Sequence, residues 1–209
     1  MKKIILFLLL TSYLLLPASL YARSSGFYIG GGYQQPLMFT WKTQSIIAPN
    51  PGESIKFLPS FGAYLVGGYD FEREDWLGLA LPINWSYIRL NKTEWVHLIN
   101  ADAQVIFHLT EPDTKFDPYL GLLAGFNYMT EGGRLDDSAS IGPDFGASFG
   151  IKYMLSEYAS AGSPNIKTLA LMFEVPVKVI MFINDYDLSD SAITPIITVP
   201  IKLGLTYTF

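Results

Sequence analysis

Apolar and polar residues alternate along most of the chain, and the last segment shows the pattern most clearly. Ile201, Leu203, Leu205, Tyr207 and Phe209 alternate with small or polar residues up to the final position. A period of two places successive side chains on opposite faces of a β-strand. The pattern therefore predicts a terminal strand with one face in apolar surroundings and the other in polar surroundings.

Eight segments carry this alternation, and turn-forming residues such as Glu111-Pro112-Asp113 separate them. The predicted strands are 27–39, 58–72, 76–90, 95–109, 116–130, 141–156, 166–183 and 193–209. An even number of strands joined by turns is typical of barrels that cross the bacterial outer membrane. The sequence thus predicts an all-β chain, folded as an eight-stranded antiparallel up-and-down transmembrane barrel.

The polar residues of each segment fall on one face, which we predict to be the barrel interior. In the seventh segment Glu174 and Lys178 alternate with apolar residues such as Phe173 and Val177. A soluble lipid-binding barrel has the opposite arrangement, with its apolar side chains inside. The pattern therefore favours an apolar exterior in contact with lipid and a polar lumen.

The first 22 residues have the features of an export signal. Lys2 and Lys3 precede an apolar run over 4–16 that is interrupted only by 11–13, and the stretch 17–22, which contains a proline and small residues, ends at Ala22. The run is too short to span a bilayer, which takes roughly 17 to 25 residues. We predict a cleaved signal peptide over 1–22, with cleavage after Ser24 as the alternative, and one barrel domain over 23–209.

Composition narrows the range of functions. The chain has no cysteine, so it has neither disulfides nor a lipoprotein anchor, and its net charge of −5 gives no reason to expect nucleic-acid binding. His97 and His108 lack a neighbouring serine nucleophile, so we expect satisfied or solvated histidines and no enzyme activity. The acidic loop residues lack the glycine and glutamate of a calcium loop. We therefore expect no metal and no cofactor.

Five charged residues lie on the predicted inward face, where ions are costly unless they are paired. They are Asp102, Lys152, Glu174, Lys178 and Lys202. If the last hairpin folds symmetrically about Leu188, Glu174 faces Lys202. We expect Lys152 and Asp102 in one inward layer, as a second pair. The favoured interpretation is a charge network that closes the lumen, and the alternative is a gated polar path for small solutes.

Three short segments resemble known outer-membrane proteins. The terminal residues Leu203, Leu205, Tyr207 and Phe209 resemble the signal that the barrel assembly machinery reads. The segments 26–33 and 116–128, the latter opening with a Pro-Tyr pair and rich in glycine, resemble strands of small barrels. The chain is similar to the eight-stranded outer-membrane superfamily that includes the OmpA, OmpX and OmpW types.

The resemblance implies a place in the outer membrane of a Gram-negative-type envelope. It implies contact with outer-membrane lipids and the barrel assembly machinery. For the OmpW type it implies a narrow channel for small hydrophobic compounds. The inward charges of this chain differ from that type and resemble the plugged, polar interior of the OmpA and OmpX types. We expect a structural or surface-interacting monomer, with an OmpW-like channel as the alternative. The predicted outer loops 40–57, 131–140 and 184–192 are where an extracellular ligand would bind.

Overall fold

The computed structural model describes residues 26–40, 60–71, 75–89, 95–111, 114–131, 139–159, 166–183 and 193–209. The predicted signal peptide and most of the three predicted outer loops lie outside these ranges. Within these ranges, no helix has the length and hydrophobicity that a membrane-spanning helix needs.

Ten strand segments form the wall of a barrel. They are β1 (Gly26–Gln35), β2 (Met38–Thr40), β3 (Phe61–Asp70), β4 (Leu77–Arg89), β5 (Trp95–His108), β6 (Phe116–Glu131), β7 (Ala139–Ala159), β8 (Ile166–Ile183), β9 (Ile193–Thr198) and β10 (Ile201–Thr208). Each pairs antiparallel with its neighbours, and β10 pairs with both β8 and β1. Because β1–β2 and β9–β10 are each one interrupted strand, the described residues form the closed eight-stranded up-and-down barrel that the sequence predicts.

Proline causes the two interruptions, which the sequence interpretation missed. Pro36 lies between β1 and β2, and Pro200 lies between β9 and β10. In the register, Glu174 pairs with Lys202 and Lys178 pairs with Thr198. Pro176 lies midway between the first residues of these two pairs, so it lies opposite Pro200. Since proline has no N–H to donate, the ladder between β8 and the last strand loses two hydrogen bonds there.

The two faces of the wall differ as the alternation predicts. Large apolar side chains are exposed on the outside; Phe27, Leu81 and Phe126 are each at least 65% accessible. Most polar and charged side chains that are buried lie on the inside, including Asn100, Glu174 and Lys202. Strand β7 has a β-bulge between Met154 and Ser156 and ends at Ala159, beyond the predicted end at 156. The polar lumen is therefore the place to look for a functional site.

Candidate functional site in the barrel lumen

Inward side chains from seven of the barrel strands form three polar clusters along the axis. We call the barrel end where Gly26 and Phe209 lie the terminal end, and the opposite one the distal end. The terminal cluster is Asp70, His108, Asp117 and Lys152; the middle cluster is Gln104, Tyr119, Glu174 and Lys202; the distal cluster is Asn84, Asn100, Asp102, Asn127, Asp144 and Lys178.

The middle cluster contains a buried ion pair. Lys202 lies opposite Glu174 in the register, as the predicted hairpin requires, and its Nζ is 3.1 Å from Glu174 Oε1. The other carboxylate oxygen, Oε2, accepts hydrogen bonds from Tyr119 Oη at 2.8 Å and Gln104 Nε2 at 3.1 Å. The ring of Tyr64 lies beneath the ammonium, with its centroid 5.4 Å from Nζ. One anion and one cation neutralise each other here, with hydrogen bonds to both carboxylate oxygens.

The terminal cluster places a histidine between two carboxylates. His108 Nδ1 is 2.9 Å from Asp117 Oδ2, and its Nε2 is 3.2 Å from Asp70 Oδ1. Lys152 Nζ contacts Asp70 Oδ2 at 3.1 Å and lies 4.2 Å from the ring centroid of Tyr28. Both ring nitrogens thus lie within hydrogen-bond distance of a carboxylate oxygen. The prediction of a satisfied His108 is confirmed.

The distal cluster is built around a single lysine. Lys178 Nζ lies 2.6 Å from Asn100 Oδ1, 3.0 Å from Asp102 Oδ2 and 3.1 Å from Asp144 Oδ2. Gly125, which pairs with both aspartates in the register, makes this approach feasible. A Cβ at Gly125 would lie 2.4 Å from Asp102 Oδ1. Here one cation faces two carboxylates.

Three amides complete the distal cluster. Asn100 Nδ2 donates to Asp102 Oδ1 at 2.8 Å and to Asp144 Oδ2 at 2.7 Å. Asn127 Nδ2 also donates to Asp144 Oδ2, and Asn84 Nδ2 donates to Asn100 Oδ1 at 2.7 Å. Within the described ranges, the hydrogen bonds to the two carboxylates thus come from amides and from the ammonium of Lys178.

The expected pair of Lys152 and Asp102 is wrong. Lys152 contacts Asp70, and Asp102 contacts Lys178. The register explains the error: Asp102 on β5 and Asp144 on β7 share a row through Gly125, and Lys152 lies eight residues further along β7. The sequence interpretation also gave no role to Asp70 or Asp117. Both residues lie at inward positions at the ends of strands, next to predicted turns, and this pattern could have indicated that they are buried and paired.

The lumen between the terminal and middle clusters is nearly filled. A cavity of about 10 Å³, bordered by Tyr28, Tyr119 and Glu174 among others, has room for about one water molecule. The inward glycines admit tyrosine rings: a Cβ at Gly150 would lie 2.1 Å from Tyr119 Cζ, and one at Gly68 would lie 2.3 Å from Tyr28 Cζ. These glycines therefore serve packing of the lumen.

Neither histidine lies in a recognisable catalytic or metal-binding arrangement. His97 faces outward, and its ring stacks on Trp85 with centroids 5.9 Å apart. His108 faces inward, and its two ring nitrogens contact Asp117 and Asp70. In the described part of the chain, no group of three or more His, Cys, Asp and Glu residues is placed to bind a metal ion.

Comparison with known proteins finds similarity in structure only. No protein-family profile and no curated protein sequence matches the chain. Neisserial surface protein A aligns with a TM-score of 0.62 at 17% identity, over 89% of this chain and 99% of that one. OprG of Pseudomonas aeruginosa (TM-score 0.45, 16% identity, 90% and 98%) and AlkL (0.47, 13%, 92% and 94%) also match. The chain has the fold of the small eight-stranded outer-membrane barrels.

Proposed function

We propose that the protein is an integral outer-membrane barrel with a closed polar lumen and a structural or surface-interacting role. The exterior supports the membrane location. Exposed apolar side chains such as Leu65, Leu81 and Leu122 lie on the outside, where a soluble protein would present polar residues. All backbone groups of a closed barrel can pair within the wall, which is the condition for strands in lipid.

Aromatic side chains near both barrel ends support the same placement. At the terminal end the rings of Phe27 and Tyr69 are 4.8 Å apart, and those of Tyr207 and Phe209 are 5.2 Å apart. At the distal end Phe61 contacts Trp85 and Tyr87. Phe61 and Tyr69 are eight residues apart on β3, which is roughly 20 Å along the axis of a tilted barrel. That spacing suits the two interfacial girdles of an apolar band about 25 Å tall.

The closed lumen rests on one observation, the ion pair of Glu174 and Lys202 in the middle cluster. Both side chains are almost fully buried, and Tyr119 and Gln104 bind the carboxylate from other strands. A solute could pass only if this pair separated, which would leave two unpaired ions in the lumen. The geometry thus favours a plugged barrel whose work is done at its surface.

The partners follow from the placement. We propose contact with outer-membrane lipids and insertion by the barrel assembly machinery, which would read Leu203, Leu205, Tyr207 and Phe209 after removal of residues 1–22. An extracellular ligand would bind the loops 40–57, 131–140 and 184–192. We propose a monomer without enzyme activity and without nucleic-acid binding.

Single-channel conductance of the refolded protein in planar bilayers tests the closed lumen. We expect a silent wild type, and openings in the Glu174→Gln and Lys202→Met variants because each disrupts the ion pair. The Asp75→Asn variant, which changes an exposed carboxylate in a turn, is the matched control and should stay silent. Discrete openings of the wild type would contradict the proposal and support the alternative.

The alternative is a narrow OmpW-like channel for passive passage of small, hydrophobic solutes. The facing prolines Pro176 and Pro200 support it, because the wall lacks two hydrogen bonds beside the middle cluster. Solute would then pass between lumen and membrane through this part of the wall. Replacing both prolines with valine restores the two donors, and should lower solute uptake by proteoliposomes if the alternative holds.

A further inference from the structure

The distal cluster has an excess of negative charge. Among the described residues its only ammonium is that of Lys178, which faces the carboxylates of Asp102 and Asp144. The three side chains are 4%, 5% and 3% accessible. Their hydrogen bonds all run from amides and the ammonium toward the carboxylate oxygens, which suits two ionised groups. With both carboxylates ionised, one negative charge of the cluster has no counter-ion among the described residues, which is a costly arrangement away from water.

Oxygen atoms without a hydrogen-bond partner lie at the same cluster. Within the described ranges, the buried side-chain atoms that lack a partner include Asp144 Oδ1, Asn127 Oδ1 and Asn84 Oδ1. Asn127 and Asn84 are 1% and 5% accessible. Their amide nitrogens donate to Asp144 Oδ2 and Asn100 Oδ1, so the partners fix which amide atom is oxygen. Buried acceptors of this kind take a donor, a water or a cation.

The register brings two of these oxygens to adjacent strands. Asn127 on β6 pairs with Gly142, and Asp144 on β7 pairs with Gly125, so the two side chains are diagonal neighbours on the inward face. Gly125 also pairs with Asp102 on β5, so the two aspartates and Asn127 lie on neighbouring strands of the same inward face. A carboxylate and amide oxygens are the ligands that hard cations prefer.

We propose that the distal cluster binds one monovalent cation of about the size of sodium. Asp144 Oδ1 is its charged ligand, and the amide oxygen of Asn127 is the second. One positive charge neutralises the cluster, whereas a divalent ion would reverse its sign and add an uncompensated positive charge beside Lys178. The inference concerns the lumen alone and does not depend on any surface role.

The melting temperature of the refolded barrel in detergent tests the proposal. Wild type is compared in sodium chloride and in choline chloride at equal ionic strength and pH 8, because choline is too large for the lumen. We expect a higher melting temperature in sodium chloride, rising with the logarithm of the sodium concentration. The Asp144→Asn variant removes the excess charge, so it should melt at the same temperature in both salts. The Asp75→Asn variant should behave as wild type.

Sodium-23 NMR of the wild type gives a second readout that needs no variant. We expect broadening of the sodium line by the folded barrel and its loss on unfolding or in Asp144→Asn. Equal melting temperatures of wild type in the two salts, together with an unbroadened line, would overturn the proposal.

Discussion

The middle and distal clusters share one lumen and differ in their balance of charge. In the middle cluster Glu174 and Lys202 neutralise each other, and tyrosine and glutamine side chains bind the remaining carboxylate oxygen. In the distal cluster Lys178 faces both Asp102 and Asp144, and Asp144 Oδ1 has no hydrogen-bond partner in the described part of the chain. Because the cost of a buried ion depends on its compensation, similar substitutions should have different effects in the two clusters.

The largest expected effect is that of Lys178→Met in the distal cluster. The substitution leaves two buried carboxylates with no ammonium, so we expect a loss of about 3–5 kcal/mol in the free energy of unfolding. Urea titration of the barrel refolded into lipid vesicles, followed by tryptophan fluorescence, measures it. A loss no greater than that of a Lys167→Met control, which changes a half-buried lysine outside the three clusters, would contradict the charge count.

The middle cluster should show strong coupling between its two ions. Lys202→Met alone leaves Glu174 unpaired and should cost about 3 kcal/mol, while the double variant Glu174→Gln/Lys202→Met should cost much less than the two single variants together. A double-mutant cycle of unfolding free energies gives the coupling. Additive losses would show that the contact at 3.1 Å contributes little.

Two isosteric substitutions compare the clusters directly. Glu174→Gln leaves Lys202 unpaired and should cost about 2 kcal/mol. Asp144→Asn leaves Lys178 with Asp102 and removes the excess charge, so we expect a change within about 1 kcal/mol of zero or a gain. Unfolding titrations at low sodium measure both. Equal losses would mean that net charge does not distinguish the clusters.

The smallest expected effect on the folded barrel is that of Phe209→Ala. Phe209 is exposed on the outer surface and contacts Tyr207, so neither cluster changes. We expect less insertion into the outer membrane of cells, since the terminal residues resemble the assembly signal, and an unfolding free energy within about 1 kcal/mol of wild type. Heat-modifiable mobility on gels measures the inserted fraction. Unreduced insertion would refute the assembly role of this residue.

The sequence determined the strands and their faces. The period of two is a local property of each strand, so the eight segments and their inward residues could be read directly. The pair of Glu174 and Lys202 was also predictable, because hairpin symmetry sets the register of neighbouring strands. The strand interruptions at Pro36 and Pro200 could have been predicted from the residue type alone, since proline cannot donate a hydrogen bond to a β-ladder.

Only the tertiary structure decided which distant side chains meet. Lys178 reaches Asp102 from a strand that is not its neighbour, and Lys152 reaches Asp70 instead of the expected Asp102. These contacts depend on the stagger accumulated around the closed barrel and on the reach of lysine across the lumen. Neither quantity is encoded in a local pattern. The sequence therefore set which groups are buried, and closure of the wall set how their charges are shared.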